Sequence, residues 1–182
     1  MNRKIFEWPS KKLSKVANPI VDFTTVEDIE KDLIDTCNIN MGIGLAANQI
    51  GILKRVIIIK PSAFGAENKD PSKYNEEYML LVNPKLEISD EKKKWREACL
   101  SLPMTDGGVE RSRLCKVTYK NISGEEKTFE ANWPFSAGLQ HECDHLDGIL
   151  YVNRMKRSNR FVTIEKLKRN KKKQNRVYKK RG

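Results

Sequence analysis

Gln140-His141-Glu142-Cys143-Asp144-His145-Leu146 holds both histidines of this 182-residue chain, four residues apart, with a glutamate directly after the first. On an α-helix, positions i and i+4 lie on one face, so two imidazoles at that spacing can converge on one cation. Glu142 is then close enough to move a proton on water held there. The plainer alternative is a helix that carries two surface histidines. The motif helix is read over about 134–147, with Gly148 as its stop.

Outward from that helix the chain reads mainly as strands. Arg55-Val56-Ile57-Ile58-Ile59 is β-branched and continuous, which predicts a buried strand. Residues 78–83 predict another, stopped by Pro84, with 85–89 as its return. Leu114-Cys115-Lys116-Val117-Thr118-Tyr119 alternates and, across Ser123-Gly124-Glu125, makes a hairpin with 127–131. Residues 97–103 are irregular, Gly107-Gly108 marks a turn, and 61–75 reads as a surface loop. The run 24–38 has Ile29, Leu33, Ile34 and Cys37 at helical spacing, with Thr24 or Thr25 as its cap. Met41-Gly42-Ile43-Gly44 breaks it. Two glycines there imply a close approach of backbone or a positive φ. These elements describe an α+β fold, with mixed or antiparallel strands packed around the buried helix of the two histidines, and a C-terminal helix.

Hydrophobic residues make up 38% of the chain and charged residues 32%, as in a soluble globular protein with one very polar segment. That segment is 153–182, where fourteen Lys and Arg face one acidic residue, a charge of +13, against −2 for the first 152 residues. The division expected is a catalytic domain at 1–152 and a basic helix and tail at 153–182. Phe161, Ile164 and Leu167 are spaced to dock that helix on the body. Cys37, Cys99, Cys115 and Cys143 show no CxxC spacing and read as free thiols in a reducing compartment. No stretch has the length of a membrane span and no apolar leader opens the chain, so a cytoplasmic location is expected, with no membrane partner.

Two imidazoles leave a catalytic cation one protein ligand short. There is no third histidine, and downstream Glu165 lies among basic residues, a poor setting for a ligand. Upstream, the best soft donor is Cys99, in Glu97-Ala98-Cys99-Leu100-Ser101. A thiolate suits Fe²⁺, Co²⁺ or Zn²⁺ far better than Mg²⁺ or Ca²⁺. Cys37, Cys115 and Cys143 read as small buried side chains. Asp144 and Asp147 read as capping groups or as partners that orient a histidine, and Gln140 as an amide that satisfies backbone.

Three segments taken together, Gly42-Ile43-Gly44-Leu45-Ala46-Ala47-Asn48-Gln49, Glu97-Ala98-Cys99-Leu100-Ser101 and Gln140-His141-Glu142-Cys143-Asp144-His145, resemble the motifs of peptide deformylases, in that family's order and at its approximate separations. The resemblance implies one divalent metal held by Cys99, His141 and His145 with water as fourth ligand. Fe²⁺ is the native metal so implied, with Ni²⁺, Co²⁺ or Zn²⁺ able to replace it. It implies that Glu142 is the general base and then acid in removing the formyl group of N-formylmethionyl nascent peptides, the metal-bound water attacking the formyl carbon and formate leaving. Negative charge on the formyl oxygen would be met by the Gln49 amide and the Leu100 backbone N–H, as well as by the metal. The peptide would pair along Ile43 and Gly44, with the methionine side chain entering a pocket near Ile43, Phe135 and Gly138. Glu97 is implied as a buried acid that supports this pocket, paired with an arginine such as Arg111. Asn48 stands where the family usually has proline or threonine, and Ala98 where it has glycine.

Two other readings compete. A zincin-like peptidase that cuts internal bonds would not need Cys99. An RNA-binding accessory protein with a structural metal would fill the fourth coordination position with protein, and would have no use for Glu142. The basic tail reads either as a solvated terminus or as a contact with the ribosome surface and its rRNA. A monomer is expected.

Overall fold

The run Val56-Ile57-Ile58-Ile59 has no polar side because both of its faces are covered. The computed structural model describes residues 2–179, with side chains over 2–173. In chain order its elements are α1 (Val26–Ile39), β1 (Gly44–Ala46), β2 (Val56–Ile59), β3 (Met79–Ile88), β4 (Lys92–Ala98), β5 (Asp106–Ser112), β6 (Leu114–Lys120), β7 (Glu126–Asn132), α2 (Phe135–Leu146), α3 (Tyr151–Arg154) and α4 (Arg157–Lys179). Five strands form one sheet in the order β1-β2-β3-β6-β7, each antiparallel to its neighbours. Strands β4 and β5 pair separately.

Alternation within β2 and β3 sorts their side chains between two helices. Val56, Ile58, Leu80 and Val82 cluster with Val26, Ile29, Leu33 and Cys37 of α1. Ile57, Ile59, Met79 and Leu81 cluster with Phe135, Leu139, Cys143 and Leu146 of α2, where Cys115, Val117 and Tyr119 of β6 join them. Burying each large side chain of this kind contributes about 1.5–3 kcal/mol. Helix α2 is thus fixed against the sheet by one face, and its other face is free to carry chemistry. A third cluster, with Leu102, Val109, Tyr151 and Leu167, packs α3 and the start of α4 on the β4–β5 pair.

Three expectations are corrected. Strand β3 does not stop at Pro84. It runs on to Ile88, with a register shift against β6 between Val82 and Lys85 that places Asn83 and Pro84 in a bulge, where a proline removes no ladder donor. Asn83 takes the positive φ, and its side-chain amide both accepts from the Ile20 N–H and donates to the Ile20 carbonyl, each at 2.8 Å. Gly107 and Gly108 lie inside β5, not in a turn. A methyl at Gly107 would meet the Met155 Cε at 2.5 Å, so glycine there serves close packing. Neither Thr24 nor Thr25 caps α1 with its side chain. Asp22 accepts from the Thr24 N–H and opens a short 3₁₀ turn that leads into the helix.

In α4, Leu167 and Thr163 are buried and Ile164 packs partly, but Phe161 is exposed and does not dock. Lys179 is the last described residue, so the end of the expected basic tail, 180–182, lies outside the described residues. No described helix is long and apolar enough to cross a membrane.

Candidate metal centre

Helix α2 sets His141 and His145 on one face, their ring centroids 5.0 Å apart and their planes nearly perpendicular. Cys99 arrives from the turn that follows β4, and its Sγ lies 3.2 Å from His145 Nε2. The donor atoms of these three residues all lie within 4.8 Å of one another, as expected of groups that share one cation. Burial, reinforced by the neighbouring His141 and Arg111, holds His145 well below the usual histidine range, so its ring is neutral and has a lone pair to give. One thiol and two imidazoles fit a borderline-soft divalent ion and do not fit Mg²⁺ or Ca²⁺.

An ion-paired chain fixes the first imidazole. Glu97, near the end of β4, accepts from His141 Nδ1 at 2.7 Å, which orients the ring and leaves its other nitrogen for a ligand role. Arg111, on β5 opposite that strand, donates twice to Glu97 at 2.6 and 3.0 Å and once to Asp144 at 2.6 Å. Asp144 also accepts twice from Arg154, at 2.6 and 3.1 Å. Burial alone would raise the Glu97 carboxyl, but the hydrogen bonds from His141 and Arg111 overcome it and hold the group down at about 2. Asp147 pairs with Arg55 at the end of the helix. Among the described residues neither aspartate is hydrogen-bonded to a histidine ring, and the orienting group on His141 is Glu97. Gln140 bonds the Ser112 N–H and carbonyl and the Ser136 carbonyl, as an amide that satisfies backbone.

Glu142 is the group left over. It is 7% exposed, and its Oε2 has no hydrogen-bond partner among the described residues. Burial pushes its carboxyl up to about 7, helped by the Glu97 charge and opposed by His141. Gly44 is why the carboxylate fits. A methyl there would lie 2.5 Å from Glu142 Oε1. The close approach inferred for this glycine is therefore an approach to the acid, and its φ is not positive.

Gln49 sits in the 3₁₀ turn Ala47–Ile50. Its Oε1 accepts from the Ala46 N–H at 2.9 Å, and its Nε2 donates to Ser101 Oγ at 3.0 Å and faces Cys99 Sγ at 3.6 Å. The neighbouring Asn48 donates to the His145 carbonyl. These contacts tie the glycine-rich segment to both other segments of the site. Above them opens a cleft of about 850 Å³, walled by 40–44 on one side and 95–106 on the other, with Gly138, His141 and Glu142 in its lining. Leu100 and Ile43 line it as well. Strand β1 is the edge of its sheet, so among the described residues no strand lies beyond Gly44 on the cleft side.

The sequence model described as polypeptide deformylase matches residues 2–161. The chain belongs to that family. It is 35% identical over 176 residues to a peptide deformylase of Bartonella tribocorum, covering 95% of each chain. Among solved structures, a peptide deformylase from Legionella pneumophila aligns with a TM-score of 0.84 at 30% identity, over 97% of this chain and 99% of that one. One from Ehrlichia chaffeensis aligns at 0.80 and 30%, over 94% and 97%.

Within this deformylase, the pocket lining differs from expectation at one position and gains another. Gly138 lines the cleft, but Phe135 lies in a separate cavity of about 290 Å³ with Phe129 and Trp133. Phe64 lines both cavities. It comes from the short 3₁₀ turn Pro61–Phe64, in a stretch whose Pro, Gly and Ser content reads as surface loop. An aromatic residue inside such a stretch is the one sequence signal that it turns inward. Nothing in the sequence marks Ser101 or Asn48 for a role, since only the fold brings them to Gln49 and His145. Glu165 pairs with Lys168 on α4. Cys37, Cys115 and Cys143 are buried free thiols, as expected.

Proposed function

We propose that this deformylase hydrolyses the N-formyl amide of formylmethionine at the amino terminus of nascent polypeptides, releasing formate and a free amine. The observation that carries the reading is the convergence of Cys99, His141 and His145 beside a buried carboxyl, Glu142, whose Oε2 has no hydrogen-bond partner among the described residues, at the floor of an open cleft. A divalent cation held by these three residues, Fe²⁺ natively with Ni²⁺, Co²⁺ or Zn²⁺ as substitutes, would supply Lewis-acid polarisation and a water of lowered pKa.

The chain's own residues supply the rest. Glu142 takes the proton from the attacking water and returns it to the leaving amine. The Gln49 side-chain amide and the Leu100 backbone N–H meet the charge that grows on the formyl oxygen. For this the Gln49 Nε2 keeps its bond to Ser101 and turns its second hydrogen from the Cys99 sulfur to substrate. The peptide adds alongside Ile43 and Gly44 at the free edge of β1. Glu97 orients His141, and its charge is balanced by Arg111.

The test is formate release from a formyl-Met peptide by anaerobically purified, Fe- or Ni-loaded protein. Absence of formate would remove the proposal. In parallel, Cys99→Ala should lose most of its bound metal by elemental analysis. Retention of full metal content would favour a zincin-like site in which the thiol has no part.

We place the catalytic unit at 1–152 and a basic extension at 153–182, in a monomer that works in the cytoplasm. The extension docks through Thr163 and Leu167 and leaves the exposed Lys and Arg residues of 156–173 for the phosphates of rRNA at the ribosome. Co-sedimentation with ribosomes should fall steeply with salt and be lost on removal of 168–182. Binding that is insensitive to both would refute the assignment.

A further inference from the structure

Each wall of the cleft carries a methionine that the chemistry does not use. Met41 is 91% exposed and Met104 79% exposed, and both line the cleft. Both also hold the backbone in the left-handed region, at φ +53 and +59. That conformation is strained for any residue with a side chain, and is ordinarily occupied by Gly, Asn or Asp. A methionine has no polar group with which to recover the strain locally. Ile43, between Met41 and the free edge of β1, is half exposed in the same wall. On the other wall the charges of Arg96 and Asp106 are paired with each other at 2.8 Å. The rim therefore offers an incoming chain apolar surface on both sides. The cleft is also roomier than one methionine side chain requires.

We infer that Met41 and Met104 grip an apolar side chain at the second or third residue of the substrate, so that the enzyme favours formyl-Met peptides continuing with Leu, Phe or Met. The inference rests on the deformylase reading of the cleft and names its downstream specificity. Unbranched, polarisable thioethers repack around side chains of different shape, so the preference is for apolar bulk and not for one residue. Covering the two methionines removes from water a surface that the free enzyme leaves exposed.

Formate release is measured for formyl-Met-Leu-Leu and formyl-Met-Ser-Ser. The wild type should favour the first by about tenfold in kcat/KM, mostly through KM. In Met41→Gln/Met104→Gln the ratio should fall to within about twofold, and in Met41→Leu/Met104→Leu it should persist. A wild-type ratio near one, or an unchanged ratio in the glutamine variant, overturns the inference and leaves the deformylase reading standing. Formate from neither peptide overturns both.

Discussion

Glu142→Gln is expected to lower kcat for formate release by about 10²–10⁴-fold while the bound metal stays in place. The substitution keeps the shape of the side chain, so the tight fit beside Gly44 is preserved and the three donors are untouched. What is lost is the capacity to accept a proton from water and hand it on. Because the carboxyl makes no hydrogen bond through Oε2 among the described residues, its replacement should not unravel a network. Thermal stability should therefore be equal to or above that of the wild type, since an unpartnered buried carboxyl is a cost to folding. Turnover unchanged from the wild type would mean that the proton moves by another route, and the mechanism proposed for this site would fail.

Arg111→Leu should have the largest effect on folding, a loss of about 3–5 kcal/mol in urea unfolding at neutral pH. Among the described residues Arg111 alone is bonded to both Glu97 and Asp144, and all three side chains are less than a tenth exposed. Removal of the guanidinium leaves Glu97 with His141 alone, and Asp144 with the partly exposed Arg154. The isolated carboxylate in a low-dielectric setting is what makes the loss large. Activity should fall with stability, because Glu97 can no longer hold the His141 ring at a fixed angle. A loss under about 1 kcal/mol would place the pair in the class of exposed ion pairs, against its burial.

The parts of this fold that depend on neighbours in sequence were legible. The i, i+4 histidines, the continuous β2 run and the alternating β6–β7 hairpin each carry their own periodicity, and the structure has all three. The pairing of Glu97 with Arg111 was legible through the family resemblance. What was not legible depended on distant partners. Pro84 looks like the end of a strand until β6 supplies a bulge in which its missing N–H is harmless. Gly107-Gly108 looks like a turn until Met155 is seen packed against it. Phe64 looks like part of a loop until the cleft is assembled around it. At the site, the paired histidines and Cys99 as the best soft donor were readable from the chain, and the three as one ligand set through the family resemblance. Asp144 and Asp147 read as the groups that could orient a histidine and Glu97 as a support of the pocket, yet Glu97 holds His141, because the choice is made by the β4–β5 pairing and not by spacing along α2.

The cross-ties among Gln49 and Ser101, Asn48 and His145, and Glu97 and His141 join three segments far apart in the chain. An ion gripped by Cys99, His141 and His145 would be a further tie between two of them. Such a ligand binds the folded chain and has no assembled cage in the unfolded one, so its binding energy is added to the folding equilibrium by mass action. If these residues hold a metal as proposed, its supply would govern how long each molecule survives heat and proteolysis, as well as whether it turns over. A cell starved of the ion would hold fewer intact copies of the protein, not merely idle ones.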